Sequence, residues 1–122
     1  MAKAITDAII DGGLDKMMTC DRLTVLSAQP TSITDITTTY KLCSIPLGSV
    51  EFTKANGDTS GRKCTVAQQT GMLITTSGTA THVAIDDGTD WVVTTCTSQA
   101  LTANGTNTVT VPAWKLEIAD PA

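Results

Sequence analysis

From residue 79 to residue 118, apolar residues and threonine alternate with polar residues in three runs: 79–86, 90–97 and 107–118. Turn residues divide the runs. A period of two buries one face of an extended chain and leaves the other open, so each run is predicted as a β-strand. In the first, Thr81, Val83 and Ile85 share a face and His82 lies on the other. In the second, Trp91, Val93 and Thr95 alternate with Val92, Thr94 and Cys96. Both of its faces are partly apolar, which predicts a central strand. In the third, Val109 and Val111 alternate in one phase, and Trp114, Leu116 and Ile118 in the opposite phase. The shift at Pro112-Ala113 predicts a bulge or bend at an edge or a sheet crossing, because proline has no N–H to give to a ladder.

Shorter strands are predicted over residues 23–28, 40–45, 49–54, 62–69 and 72–76. Val50 and Phe52 should share a face, as should Cys64 and Val66. Asn56-Gly57 predicts a hairpin turn, since both residues tolerate positive φ. The Ser/Thr-rich stretch 31–39 reads as a loop. Residues 2–18 read as a helix. Ala4, Ile5, Ala8 and Ile9 form its apolar stripe, and Leu14, Met17 and Met18 extend it. Gly12-Gly13 should end or break that helix. The reading is a single, mainly β domain over residues 1–122, with seven to eight short antiparallel strands. It is a β-sandwich or barrel-like fold of the immunoglobulin-like or jelly-roll-like kind. Residues 1–20 form a helical N-terminal arm, which either covers the sheet or docks on a neighbour.

Composition narrows the function. Aromatic residues make up only 3 %, so core volume must come from aliphatic side chains and threonine methyls. A small core of this kind gains from partners or cross-links. The net charge of −4, with no basic stripe, argues against nucleic-acid binding. No apolar run reaches the length of a membrane span. Asp7 and Asp11 interrupt the apolar N-terminal residues, which therefore do not read as a secretory signal.

Candidate chemistry is sparse. Cys20, Cys43, Cys64 and Cys96 include no Cys-X-X-Cys pair, so zinc ligation is unsupported. They read either as small buried apolar side chains or as disulfide partners, with three internal pairings open. His82 is the single histidine, and it offers no dyad to a thiol. Asp86, Asp87 and Asp90 cluster at one turn without the spacing of a calcium loop, and they read, with Asp58, as turn residues. Lys54 and Arg62 flank the Asn56-Gly57 turn and are expected to be solvated. Asn104-Gly105-Thr106 fits a glycosylation acceptor, with no sign of a secretory route. No catalytic, cofactor-binding or metal-binding set is assembled, so the expectation is a non-enzyme without a cofactor.

Several segments together carry a resemblance. They are Ala4-Ile-Thr-Asp-Ala-Ile-Ile10, Phe52-Thr-Lys-Ala-Asn-Gly-Asp-Thr-Ser-Gly-Arg-Lys63, Gly78-Thr-Ala-Thr-His-Val-Ala-Ile85, Val93-Thr-Thr-Cys-Thr-Ser-Gln99 and Val111-Pro-Ala-Trp-Lys-Leu-Glu-Ile-Ala-Asp-Pro121. Through them the chain resembles small virion structural proteins of tailed bacteriophages. The resemblance covers most of the chain beyond residue 45 and rests on strand patterns, so it transfers no catalytic residue. It implies a β-sandwich subunit of a phage particle, made in the host cytoplasm and located on the virion. Capsid decoration or cement is the leading reading, with the major capsid protein and copies of itself as partners. A neck, tail or fibre component with host-surface adhesion, present in few copies, is the alternative. A carbohydrate-binding β-sandwich is a third reading that a row of exposed aromatic residues would favour, but Trp91 and Trp114 fall within apolar strand faces. Thiols assembled in a reducing cytoplasm can oxidise after lysis. Cys20 and Cys43, in the less regular N-terminal part, are then expected to link neighbouring subunits, and Cys64 and Cys96 to lie internally.

Overall fold

Alternation along the chain becomes nine strands among the described residues, 5–119 of the computed structural model. After the helix α1 (Asp7–Met17) come β1 (Arg22–Leu26), β2 (Lys41–Pro46), β3 (Phe52–Asn56), β4 (Arg62–Val66) and β5 (Gln69–Leu73). Then follow β6 (Gly78–Asp86), β7 (Trp91–Leu101), β8 (Thr108–Val111) and β9 (Trp114–Ile118). The strands form a four-stranded sheet ordered β2-β1-β6-β7, a three-stranded sheet β3-β4-β9 and a two-stranded sheet β5-β8. Every pairing is antiparallel. The fold is mainly β and sandwich-like, with one N-terminal helix.

The ninth strand comes from Pro112-Ala113. The run 107–118 divides there: β8 pairs with β5, and β9 pairs with β4 in a different sheet. The phase shift is therefore a sheet crossing. It lets Val111 face the same core as Trp114 and Leu116 although they alternate oppositely.

One core joins helix and sheets. Leu14, Leu23, Val25, Cys43, Cys64, Val66 and Ile85 are among its most enclosed members. Helix α1 covers this core through Ile10, Leu14 and Met17, spaced i, i+4 and i+7. Ala8 and Ile9 are exposed, so the apolar stripe differs from the expected one. Charge explains the rotation. Asp11 reaches Arg62 and Lys54, and Asp15 reaches Lys54, which fixes the acidic side of the helix over β3 and β4. The Gly12-Gly13 pair does not break α1. Packing of the flanking Ile10 and Leu14 outweighs the backbone entropy that each glycine costs. Residues 1–4 of the expected arm lie outside the described residues; from Asp7 onward the helix packs on its own core.

A second, smaller cluster lies elsewhere in the fold. Leu26, Ile36 and Ala84 are buried there, with Ile33, Tyr40, Trp91 and Val93 against them. Part of the stretch read as a loop, Asp35–Thr39, is a π-helical turn closed by Tyr40 N–H to Asp35 O at 2.9 Å. The Asp35 carboxylate organises its start, accepting from Thr31 N at 2.9 Å and Thr31 Oγ1 at 3.1 Å. The strand order corrects the placing of β7, which is an edge strand and not a central one. Both its faces are apolar because Val92 and Cys96 pack on the main core while Trp91 and Val93 pack on the satellite cluster.

The Asn56-Gly57 signal does mark a hairpin, with Asn56 opposite Arg62. Positive φ falls at Gly61 (+69°), not at Asn56 or Gly57. Gly57 N–H to Gly61 O at 2.9 Å closes a longer loop than a two-residue turn. Val50 also departs from expectation: Ser49–Glu51 is a 3₁₀ turn, which leaves Val50 at 85 % exposure while Phe52 is buried.

Candidate functional site

Charged residues come first, because a chemical site would need them free. Asp86, at the end of β6, is fully buried and opposite Arg22 of β1. Arg22 Nε donates to Asp86 Oδ1 at 3.1 Å and its Nη2 to Oδ2 at 2.6 Å, a bidentate fork. Gly88 N–H also donates to Asp86 Oδ2. Arg22 is held charged chiefly by its hydrogen bond to Asp86. Asp87 accepts from Thr89 N at 2.9 Å and Asp90 N at 2.7 Å, and Lys16 reaches both Asp87 and Asp90. Those backbone N–H groups, then Lys16, hold the Asp87 carboxyl well below the usual carboxylate range. The acidic turn is thus a tie between α1, β1 and β6. No group of histidine, cysteine and carboxylate able to hold a metal ion occurs among the described residues.

Asp58 behaves in the same way, bridging Lys63 and Lys115 across β4 and β9. Lys54 and Arg62 are not simply solvated. They are the cations on which α1 docks, 27 % and 20 % exposed in their side chains. His82 is half-buried, its Nδ1 2.8 Å from Thr81 Oγ1. Asn104 Oδ1 accepts from Thr106 N, Thr106 Oγ1 and Asn107 N, which closes the β7–β8 loop. Trp91 and Trp114 are half-buried in different clusters and form no aromatic row.

All four cysteines are free. Cys20, Cys43 and Cys64 are 5 %, 0 % and 0 % exposed, and only Cys96 is partly open. Cys20 and Cys43 therefore do not project toward a neighbour as expected: both thiols are part of the core. Burial pushes Cys20 up to about 12, with Asp87, Asp86 and Asp21 adding to it, and Cys43 up to about 11. Burial raises Cys64 and Cys96 too. Thiols held protonated are poor nucleophiles.

What remains open is backbone. β7 is eleven residues long, has a strand neighbour on one side only, and contains no charged residue and no proline. From Thr95 to Ala100 it is exposed apart from the half-open Cys96. Beside it lies a cleft of about 270 Å³, lined by Val25 and Val83 together with Cys96 and Leu101 of β7 and Val109 and Val111 of β8. The chain turns from β7 to β8 through Asn104, yet the two strands belong to different sheets and do not pair. Sequence reasoning missed this edge because the apolar residues on both faces of β7 masked it. The Arg22–Asp86 fork was missed because Arg22 and Asp86 are 64 residues apart.

No helix among the described residues is long and apolar enough to cross a membrane. No family model, curated protein or solved structure matches the chain.

Proposed function

We propose that the chain is a structural subunit of a bacteriophage particle. In this reading it is a capsid decoration or cement protein that stabilises the head by contacts with the major capsid lattice and with copies of itself. The single observation that carries the reading is the β7 edge, eleven uncharged residues paired on one side only. An open edge of that length is a template for another chain, and proteins that do not use such an edge blunt it. The surrounding chemistry agrees. The carboxylates of the acidic turn are tied to Lys16 and Arg22, and the thiols of Cys20, Cys43 and Cys64 are enclosed. Such a surface suits assembly.

Quantified protein composition of purified particles tests this reading. A copy number comparable to that of the major capsid protein is expected. A copy number of a single ring at the tail axis would move the subunit to the neck or tail. Absence from particles would overturn the virion reading altogether.

A further inference from the structure

The strand edges of this fold are guarded unequally. On the far side of the four-stranded sheet, β2 carries Lys41 and Pro46 at its ends. Its edge is also covered: Thr75 and Thr76 N–H both donate to Leu42 O, at 3.0 and 3.1 Å. In the second sheet, β3 carries Lys54, and β9 carries Lys115 and Glu117. In the third, β5 lies beside β2, and β8 is four residues long with Pro112 directly after it. Charge, proline, brevity, cover and β-bulges are the devices that stop edges from pairing. β7 has none of the first four and one instance of the fifth. Its one irregularity is a slip in its register with β6, where Cys96, Thr97 and Ser98 stand opposite Thr81 alone.

We propose that β7 is a homodimer interface, in which the β7 edges of two copies pair antiparallel around a two-fold axis at Cys96. The inference rests on the reading of this protein as a self-contacting structural subunit and names the surface used. Three observations select a second copy as the occupant. An uncharged edge sets no like charge against itself when it meets its own copy, whereas full overlap of two β3 edges would set Lys54 against Lys54. An isologous two-fold contact joins two four-stranded sheets into one, with β2 at both new ends. Those ends are the covered and guarded ones, so growth stops at two. Finally, Cys96 is the middle residue of Trp91–Leu101, so full overlap sets it opposite its own copy. The register slip with β6 falls there too, so both strands bend at the axis.

Directly opposed residues of an antiparallel pair have Cα atoms about 4.5–5.5 Å apart, within the range that a disulfide spans. Oxidation by diamide would then link the copies. Each Cys96 thiol gives up its proton, the two sulfurs together yield two electrons, and the diazene is reduced to the hydrazine as the S–S bond forms.

Analytical ultracentrifugation of the full chain, with and without Thr97→Lys, tests the proposal. Thr97 is exposed, so the variant keeps its fold, which circular dichroism checks. Wild type is expected to sediment at twice the chain mass and Thr97→Lys at the chain mass, while Thr53→Lys on the β3 edge leaves the dimer intact. Diamide should link wild type but not Cys96→Ser on a non-reducing gel. A monomeric wild type at high concentration, a Thr97→Lys dimer, or a dimer that diamide never links would each overturn the proposal. If the subunit is abundant on heads yet monomeric, the virion reading stands and this interface falls. If it dimerises through β7 but is absent from particles, the reverse holds.

Discussion

Arg22 and Asp86 stand directly opposite each other on β1 and β6, joined by two charge-assisted hydrogen bonds. The pair is asymmetric: the Asp86 side chain is fully enclosed, and that of Arg22 is 34 % exposed. Removing the arginine strands a buried carboxylate, and removing the carboxylate frees a guanidinium that water can reach. Arg22→Met, which keeps the apolar stem, is expected to cost about 3 kcal/mol of unfolding free energy. Asp86→Asn keeps the shape and one acceptor for Arg22 Nη2 and Gly88 N–H but sets an amide NH2 against Arg22 Nε, and should cost about 1–2 kcal/mol. Urea denaturation of both variants checks the order. Equal losses would mean that the carboxylate is not the vulnerable partner.

Helix α1 offers a gain in stability. Gly12 lies inside it, is exposed, and has no atom within 4 Å of where a Cβ would stand. Its φ is not positive. Alanine there restricts the unfolded chain without strain in the folded one, so Gly12→Ala should stabilise by about 0.5–1 kcal/mol. Gly61→Ala should do the opposite. Gly61 holds φ +69°, and an added Cβ would run into the Ile118 carbonyl of β9. Thermal melts of the two variants should shift in opposite directions.

These two glycines also show what the sequence could and could not reveal. Local periodicity predicted most strands, because burial of one face imposes alternation wherever the sheet lies. It also located the crossing at Pro112-Ala113, since a missing N–H and a phase shift coincide there. It failed where distant residues decide. The phase of α1 depends on Arg62 and Lys54, far along the chain. The apolar second face of β7, which reads as a mark of a central strand, depends on a π-helical turn that brings Ile36 against Leu26 and Ala84. The candidate surface was legible only as an absence of chemistry: an open backbone edge leaves no residue signature beyond missing charge and proline.

Acid should weaken the fold through Asp87, Asp11 and Asp35. Each has its carboxyl below the usual value of 3.8: Asp87 through the backbone N–H groups of Asp90 and Thr89 and through Lys16, Asp11 through Arg62, and Asp35 through the backbone N–H of Thr31. A lowered folded-state pKa means that the unfolded chain binds more protons as pH falls past 3.8. Their contribution is therefore complete above that value and drains away below it. The midpoint of thermal unfolding should fall steeply below pH 4. Asp87→Asn keeps the turn's acceptor but loses the charge, so its melting temperature should match wild type in strong acid and lie below it at neutral pH. A parallel offset at all pH values would show that the charge on Asp87 does not matter.

The cysteines make the opposite prediction at the alkaline end. An unperturbed thiol ionises near 9.0, whereas Cys20 and Cys43 are pushed to about 12 and about 11 in the fold. The folded chain then holds protons that the unfolded chain has released, so stability is complete below pH 9 and falls between pH 9 and 12. Replacing Cys20 or Cys43 by alanine removes that residue's share of the slope, at the cost of a small cavity. Accessibility follows the same geometry. In the native protein a disulfide reagent such as DTNB should titrate Cys96 alone, since Cys20, Cys43 and Cys64 are closed off. Cys96→Ser should abolish the native reaction, and unfolding in guanidinium should release the remaining three thiols together. Rapid reaction of a second thiol under native conditions would show that the core opens locally, and the hydrogen-exchange protection of its strand should then be low.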